Sequence, residues 1–376
     1  MVAAATDVPS IPDLPAPRLP GEDWAGRAAT LVGSGLDAAI LAGMQLAIDA
    51  VLMPDPEQIP ALRASAEALL TPELEHDPRA FFDFPPESLA LRGVHDRGRR
   101  SFGAGRVRER RFASGYRPYL ADERAPDDDP IRFEHWTHPP ERRRGTVIAL
   151  HGFTMGYPRV DAPVLFASTL FDAGLDVVLL TLPSHGPRAP EDARFSGERF
   201  AVPHVARLAE AVRRAIHEIR AVTLWLREGT GDPVGLLGLS LGGYLTALSA
   251  GLYDDLDFAI PMVPPACIGD LAWHFHRQSR KTRGAGEGAP AFDYDELRRG
   301  YRIHSPLAHA LRIPRGRVLI IAGRGDRIVP PEHPHALWRH FGSPAIHWFS
   351  GGHLAPFGRA GIARAIRGHL RSLDLA

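Results

Sequence analysis

The sequence predicts an α/β fold, a mostly parallel sheet with helices on both faces, preceded by a helical accessory segment. Three observations predict it. Short apolar runs of strand length alternate with longer helical patterns from about position 104 onward. Residues able to carry chemistry fall just where several of those runs end. The residues up to 103 carry a Pro-rich and then an Ala/Leu-rich helical pattern instead. Alternation of apolar strand runs with helices marks strands that are buried on both faces and joined by crossovers.

With 376 residues the chain has room for one large α/β domain and a smaller piece, on a prior of roughly 100–200 residues per domain. Hydrophobic residues make up 44% and charged residues 23%, a balance that supports a buried core and argues against disorder. Lys+Arg and Asp+Glu both total 44, so no net field points to nucleic acid or to an anionic membrane. Nearly all the basic residues are arginine, Lys281 being the only lysine. The densest basic stretch, Arg97 to Arg111, is followed by acids at Asp127 to Asp129 and reads as a solvated strand face.

Cys267 is the lone cysteine, so no intrachain disulfide forms and nothing calls for an oxidising compartment. The N-terminus lacks the basic and apolar regions of a signal peptide. The most apolar window, Leu36 to Met53, contains Asp37, Gln45 and Asp49, whereas a membrane span needs ~20 mostly uncharged residues. These features predict a cytoplasmic chain with no membrane span.

Taken in order, the residues up to about Gly21 are Pro-rich and extended. From Asp23 to about Leu74 the pattern is helical, with apolar residues at Ile40, Met44, Ile48 and Leu52. Pro54, Pro56 and Pro60 break it before a second helix at about Ala61 to Leu70. No catalytic grouping is evident there, so this segment reads as a cap or packing module. Strands follow at Val107–Phe112, Ile131–Trp136, Thr146–Leu150 and Asp176–Leu182. Further strands at Val234–Leu239, Phe258–Val263, Val318–Ala322 and Ile346–Phe349 alternate with helices. The stretch from Pro265 to Pro314 interrupts the alternation with a Gly-rich bend, RGAGEGAP, and is the natural place for a lid. The domains so predicted are 1–103, accessory, and 104–376, catalytic, with the insertion at about 265–314.

Val234 to Tyr244 reads VGLLGLSLGGY, which places G-x-S-x-G between an apolar strand and a helix. Such a turn holds its serine in a strained conformation, so positions two residues away must be nearly free of side chain. The strain exposes the Ser240 hydroxyl above the sheet and aims the next amide at a developing oxyanion. Acyl transfer needs two such donors, and losing one costs on the order of 10²–10³ in rate. Leu241 N–H is the first. The second is Phe153 N–H, in TVIALHGFTMGY, where a strand ends in His151-Gly152. His151 reads as a brace for that loop rather than a base.

A serine hydroxyl needs a base, and the base needs a third group to fix its tautomer. RVLIIAGRGDRIVP runs a strand into Gly323 and reaches Asp326; HWFSGGHLAPF runs a strand into a Gly-Gly loop and His353. The bland alternative for Asp326 is a turn aspartate, with Glu332 the nearest substitute. His333, His335 and His347 compete with His353 and read as surface or sheet residues. Pairs such as His274/His276 match no zinc spacing, and neither a phosphate-binding loop nor a dinucleotide fingerprint is present. No metal and no cofactor is predicted.

From roughly residue 105 onward the chain resembles the α/β-hydrolase superfamily, including its serine esterases and lipases. HGFTMG, GLSLGG, GRGDRIVP and GGH stand in family order, and PSHGPR at Pro183 to Arg188 resembles the family's loop after the next strand. The resemblance implies a Ser240–Asp326–His353 triad with Phe153 and Leu241 as oxyanion donors. The fold supports many reactions; the one predicted here is ester hydrolysis of small or medium organic substrates through an acyl-enzyme. Dehalogenase and epoxide-hydrolase chemistry would need an aspartate where Ser240 stands.

The N-terminal helices also resemble the architecture of some C–C bond hydrolases, which would use the same triad on a carbonyl compound. A peptidase is disfavoured, and a non-catalytic scaffold is the rival from another class. Trp273, Phe275, Phe292 and Tyr294 are apolar candidates for a substrate pocket, with core packing as their plainer role. Substrate identity and oligomeric state, a homo-oligomer included, are left open by the sequence.

Overall fold

The apolar runs become the strands of one sheet, and their burial explains why they stand out in the sequence. A computed structural model describes residues 11, 17–52, 57, 59–102, 105–120, 129–200, 204–283 and 293–376. Within them the strands are β1 (His95–Phe102), β2 (Gly105–Phe112), β3 (Ile131–Thr137), β4 (Gly145–Leu150), β5 (Leu175–Thr181), β6 (Val234–Leu239), β7 (Ala259–Met262), β8 (Leu319–Gly323) and β9 (Ala345–Phe349). Their spatial order is β1-β2-β3-β5-β4-β6-β7-β8-β9. The pairs β1/β2, β2/β3 and β3/β5 are antiparallel. The pairs from β5 through β9 are parallel.

Side-chain alternation divides the core into two layers. Ile148, Leu150, Val178 and Leu180 join the layer that holds Val212, Ile216 and Ile219 of the helix Val205–Thr230. Val147, Ala149, Val177 and Leu179 face the other layer, with Leu170 and Phe171 of Ala167–Asp172 and Ile362 and Ile366 of Arg359–Ser372. Every residue of β4 and β5 is buried, as strands covered on both faces must be.

The strand β1 carries no apolar alternation and escapes a reading based on hydrophobicity. It lies at the edge of the sheet, paired to β2 with a register shift between Arg97 and Arg99. The basic stretch Arg97 to Arg111 is this hairpin. Arg100 pairs with Glu134 at 2.9 Å and Arg108 with Asp96 at 3.3 Å, in keeping with a solvated, charged edge. The sheet therefore starts before position 103.

Ahead of the sheet lie the helices Trp24–Leu52 and Ile59–Glu67, the first stopping short of Pro54. Ile59–Glu67 packs on Val205–Thr230, and Trp24–Leu52 reaches the helix Ile268–Arg283. Between β7 and β8 stand Ile268–Arg283 and Tyr294–Tyr301, the latter opened by an Asp293/Glu296 capping box. Trp273 and Tyr294 lie with ring centroids 5.5 Å apart, and the Tyr294 hydroxyl donates to the buried Asp270 carboxylate. Phe292 and the Gly-rich bend from 284 onward lie outside the described residues. Among the described residues no helix is long and apolar enough to cross a membrane.

The loop after β5 is anchored by buried charge. The Arg188 guanidinium donates to both oxygens of Glu218 at 2.6 and 2.8 Å, to Asp129 at 2.8 and 3.0 Å, and to the Thr181 carbonyl at 2.8 Å. Arg214 adds a 3.1 Å bond to Glu218. Burial alone would push the Glu218 carboxyl up, but the two arginines hold it below its ordinary value. Removing one partner of such a pair leaves an uncompensated buried charge. Glu218→Ala should therefore lose about 3–5 kcal/mol of stability in urea unfolding, and a loss under ~1 kcal/mol would show that the network is dispensable.

Candidate active site

Because β4, β6, β8 and β9 run parallel, the loops that follow them leave the sheet at the same rim. Phe153 follows β4, Ser240 follows β6, Asp326 follows β8 and His353 follows β9. Ligand sites of open α/β sheets form at this carboxyl edge.

Ser240 sits between β6 and the helix Leu241–Leu252 with φ 55° and ψ −110°, a conformation that few residues other than glycine adopt. It is held there by its N–H, which donates to the Met262 carbonyl at 2.8 Å, and by its C=O, which accepts from Tyr244 N at 2.8 Å. The two flanking glycines are steric necessities. A Cβ at Gly238 would collide with the Gly242 carbonyl, and one at Gly242 with the Leu150 carbonyl. The elbow thus fits against both its own helix and β4.

The loop after β4 comes up beside the serine: a Cβ on Gly152 would be 3.6 Å from that of Ser240. His151 is fully enclosed, its Nδ1–H donating to the Gly152 carbonyl at 2.9 Å while Nε2 accepts from Leu182 N at 3.0 Å. Burial pushes its imidazole down to about 3, so it stays neutral and ties the β4 loop to the β5 loop. Ser196 makes a second tie, accepting from Gly186 N at 2.7 Å and donating to the Met155 carbonyl. Below these, the Phe153 ring packs edge-on against His185 and Phe195. Neither Phe153 N nor Leu241 N has a hydrogen-bond partner among the described residues.

Asp326 and His353 are brought together. The imidazole Nδ1–H donates to Asp326 Oδ2 at 2.7 Å, and the two side chains are only 7% and 1% exposed. The other carboxylate oxygen, Oδ1, accepts from Ile328 N at 3.0 Å and Val329 N at 2.7 Å. Burial pushes the Asp326 carboxyl up against the pull of His353 and those amides. Burial likewise works against the imidazolium of His353, but the carboxylates of Asp326 and Asp37 outweigh it and raise its pKa. With Nδ1–H committed, the neutral ring keeps its lone pair on Nε2. The Ser240 hydroxyl makes no hydrogen bond among the described residues. The structure thus joins Asp326 to His353, while among the described residues no hydrogen bond joins His353 to Ser240.

The alternatives fare differently. Glu332 and His333 open the helix Glu332–His340. His333 is buried there, not on the surface or in the sheet, and its Nδ1 accepts from Ala266 N at 3.2 Å. His335 stacks on Trp338, and His347 lies in β9. Cys267 is buried, and burial pushes its thiol up to about 12. Among the described residues no group of three His, Cys, Asp or Glu is placed to hold a metal ion.

One residue was missed. Asp37, in the middle of Trp24–Leu52, is fully buried and accepts from Arg327 N, His353 N and Leu354 N at 3.1, 2.6 and 3.1 Å. The signal was present in the sequence, an acid in the most apolar window of the N-terminal segment. From the sequence alone that acid argues only against a membrane span.

Residues 99–297 match the family model described as alpha/beta hydrolase domain containing 18. The chain belongs to the alpha/beta-hydrolase family. A relative within reach of direct alignment is the uncharacterized protein MT2702 of Mycobacterium tuberculosis (strain CDC 1551 / Oshkosh), 32% identical over 323 residues, 79% of this chain and 71% of the relative. An acetyl xylan esterase from Paenibacillus sp. R4 superposes with a TM-score of 0.55 at 16% identity, covering 89% of this chain and 98% of its own. Acetyl xylan esterase 1 from Thermoanaerobacterium sp. JW/SL YS485 does so at 0.52 and 16%, covering 88% and 98%. At that identity these two carry the alpha/beta-hydrolase fold alone.

Since the raised pKa of His353 is set by anions, neutralising one should lower it. Asp326→Asn should move the His353 titration, followed by imidazole NMR, toward acid; an unmoved titration would mean that the pair is not coupled.

Proposed function

We propose that the chain hydrolyses carboxylic esters of small or medium organic substrates through an acyl-enzyme, with Ser240 as nucleophile, His353 as base and Asp326 as the acid that orients it. The observation that carries this reading is a strained serine, at a strand-to-helix turn, sharing one rim with a buried Asp–His pair. The family assignment and the two structurally similar acetyl xylan esterases favour ester chemistry over other uses of the fold.

In the proposed mechanism Ser240 Oγ attacks the ester carbonyl carbon while His353 Nε2 takes its proton. The carbonyl oxygen becomes an oxyanion between Phe153 N–H and Leu241 N–H. The tetrahedral adduct collapses, the C–O bond to the alcohol breaks, and the imidazolium returns the proton to the leaving oxygen. Water, deprotonated by the same imidazole, then attacks the acyl-serine; the bond from the acyl carbon to Ser240 Oγ breaks, the imidazolium returns the proton to Oγ, and the acid is released. Asp326 stays ionised and fixes the Nδ1–H tautomer throughout. The ties around His151 and Ser196 hold the β4 loop so that its amide need not reorganise.

On this reading the partner is a small-molecule ester, and the insertion between β7 and β8, with Trp273, Phe275 and Tyr294 as apolar candidates, would border its pocket as a lid. The sequence stretch outside the described residues that contains Phe292 belongs to the same insertion.

Ser240→Ala should lower kcat for p-nitrophenyl acyl esters by ~10³-fold or more with folding intact and abolish labelling by a fluorophosphonate probe. A mild loss would remove Ser240 as nucleophile. Turnover of 1,3-diketones but not of esters would shift the reading to C–C hydrolysis, and a folded chain that takes no label would favour a scaffold. The rate should rise with pH, because only the neutral imidazole accepts a proton. As the His353 pKa is raised, the midpoint of that rise should lie above the ordinary ~6.5; a flat profile would exclude His353 as base.

A further inference from the structure

We propose that Asp37 is a positioning residue for the acid–base pair, holding the Asp326 and His353 loops in register from a helix outside the α/β domain. This inference rests on the hydrolase reading above. Its basis is the way one carboxylate spans two loops. Oδ2 accepts from Arg327 N, the residue after the acid, and from His353 N itself, while Oδ1 accepts from Leu354 N. The base is therefore held from both sides, its side chain by Asp326 and its backbone by Asp37.

The fit around that carboxylate is close. A Cβ at Gly352 would run into Asp37, with Asp37 Cγ 2.6 Å away and the Gly33 carbonyl 2.5 Å away. A Cβ at Gly33 would meet Gly352 N and come within 2.7 Å of the Gly351 backbone. The same helix and the residues just before it reach the loops elsewhere. Gly351 N donates to Thr30 Oγ1 at 3.3 Å, and Ser350 Oγ donates to Glu22 at 2.5 Å. Arg327 Nε donates to Ser34 Oγ at 2.7 Å.

A fully buried carboxylate that accepts from three backbone amides and, among the described residues, makes no ion pair is the arrangement of a group that fixes backbone. Two charged groups face the imidazole, Asp326 from the loop after β8 and Asp37 from the helix. Of the nearby cations, Arg327 is directed to Ser34 and Arg324 to Glu22 and the Pro20 carbonyl. Asp37 therefore adds both geometry and negative potential to the base. A helix that merely packed would add neither.

The test is Asp37→Asn in the full chain, with Ser34→Ala as a control on the same interface. Asparagine keeps the shape but sets an N–H₂ against the amide donors and removes the charge. D37N should lose kcat by about 10²-fold, the scale expected when catalytic geometry slips, with KM kept within about threefold. The acid limb of its pH–rate profile should move to lower pH, since an anion that favours the imidazolium is gone. S34A, which removes one tie of the interface but keeps the carboxylate, should keep the wild-type pH–rate profile.

Wild-type kcat and pH profile in D37N would overturn the proposal. A kcat loss with the limb unmoved would mark a purely structural role and overturn it too. Should D37N fail to fold, Gly33→Ala keeps the carboxylate and strengthens the helix but pushes it off Gly352. A folded G33A with full kcat would overturn the proposal, and a tenfold or greater loss would support it. A wild type inert to esters and to the fluorophosphonate would sink the hydrolase reading and this inference together; an active wild type with an unaltered D37N would sink this inference alone.

Discussion

The common direction of β4, β6, β8 and β9 is the constraint on which the site depends. Residues 153, 240, 326 and 353 are separated by up to 200 positions along the chain, yet parallel pairing sends each of their loops out at one edge. Reversing any one of those strands would carry its functional residue to the opposite end of the sheet. The parallel arrangement in turn requires helical crossovers on both faces, which explains why β4 and β5 are buried at every position. Burial of the strands and convergence of the loops are two results of the same topology.

Within that frame, rigidity is distributed unevenly and for physical reasons. The elbow is fixed by steric exclusion, with Gly238 and Gly242 leaving no room for a different backbone path. The loop after β4 is fixed by neutral hydrogen bonds through His151, which burial keeps uncharged. The loops after β8 and β9 are fixed by charge, Asp326 on Ile328 N and Val329 N, and Asp37 on the adjoining amides. Charge-assisted bonds are the stronger kind, and they occur where the chain has least regular structure to lean on.

Much of this was legible from side-chain pattern. β6 matched its predicted bounds, and the other strands that alternate or run continuously apolar were found within a residue or two of where the sequence put them. The elbow and the acid–base pairing could be anticipated because glycine spacing and strand ends leave a local trace. β1 could not, because an edge strand is defined by backbone pairing, and HDRGRRSF shows no inward face. His333 was misplaced for a related reason: histidine does not announce burial, and only the fold shows that its Nδ1 serves Ala266 N. Asp37 lies 290 to 317 positions before the residues it touches, beyond the reach of any local pattern.

The distance between Asp37 and its partners also bears on how the chain is divided. Sequence composition separates a helical segment from an α/β domain at about residue 103, and the change in pattern there is real. Hydrogen bonding crosses that line at the site itself: Thr30, Ser34 and Asp37 each meet a loop after β8 or β9. A buried carboxylate whose donors all lie on another segment would be costly to leave unmade, so the helix and the two loops stabilise one another. The loop that carries His353 is thus tied to the N-terminal helix by its backbone as well as to Asp326 by its side chain, and the accessory segment is joined to the α/β domain at this rim.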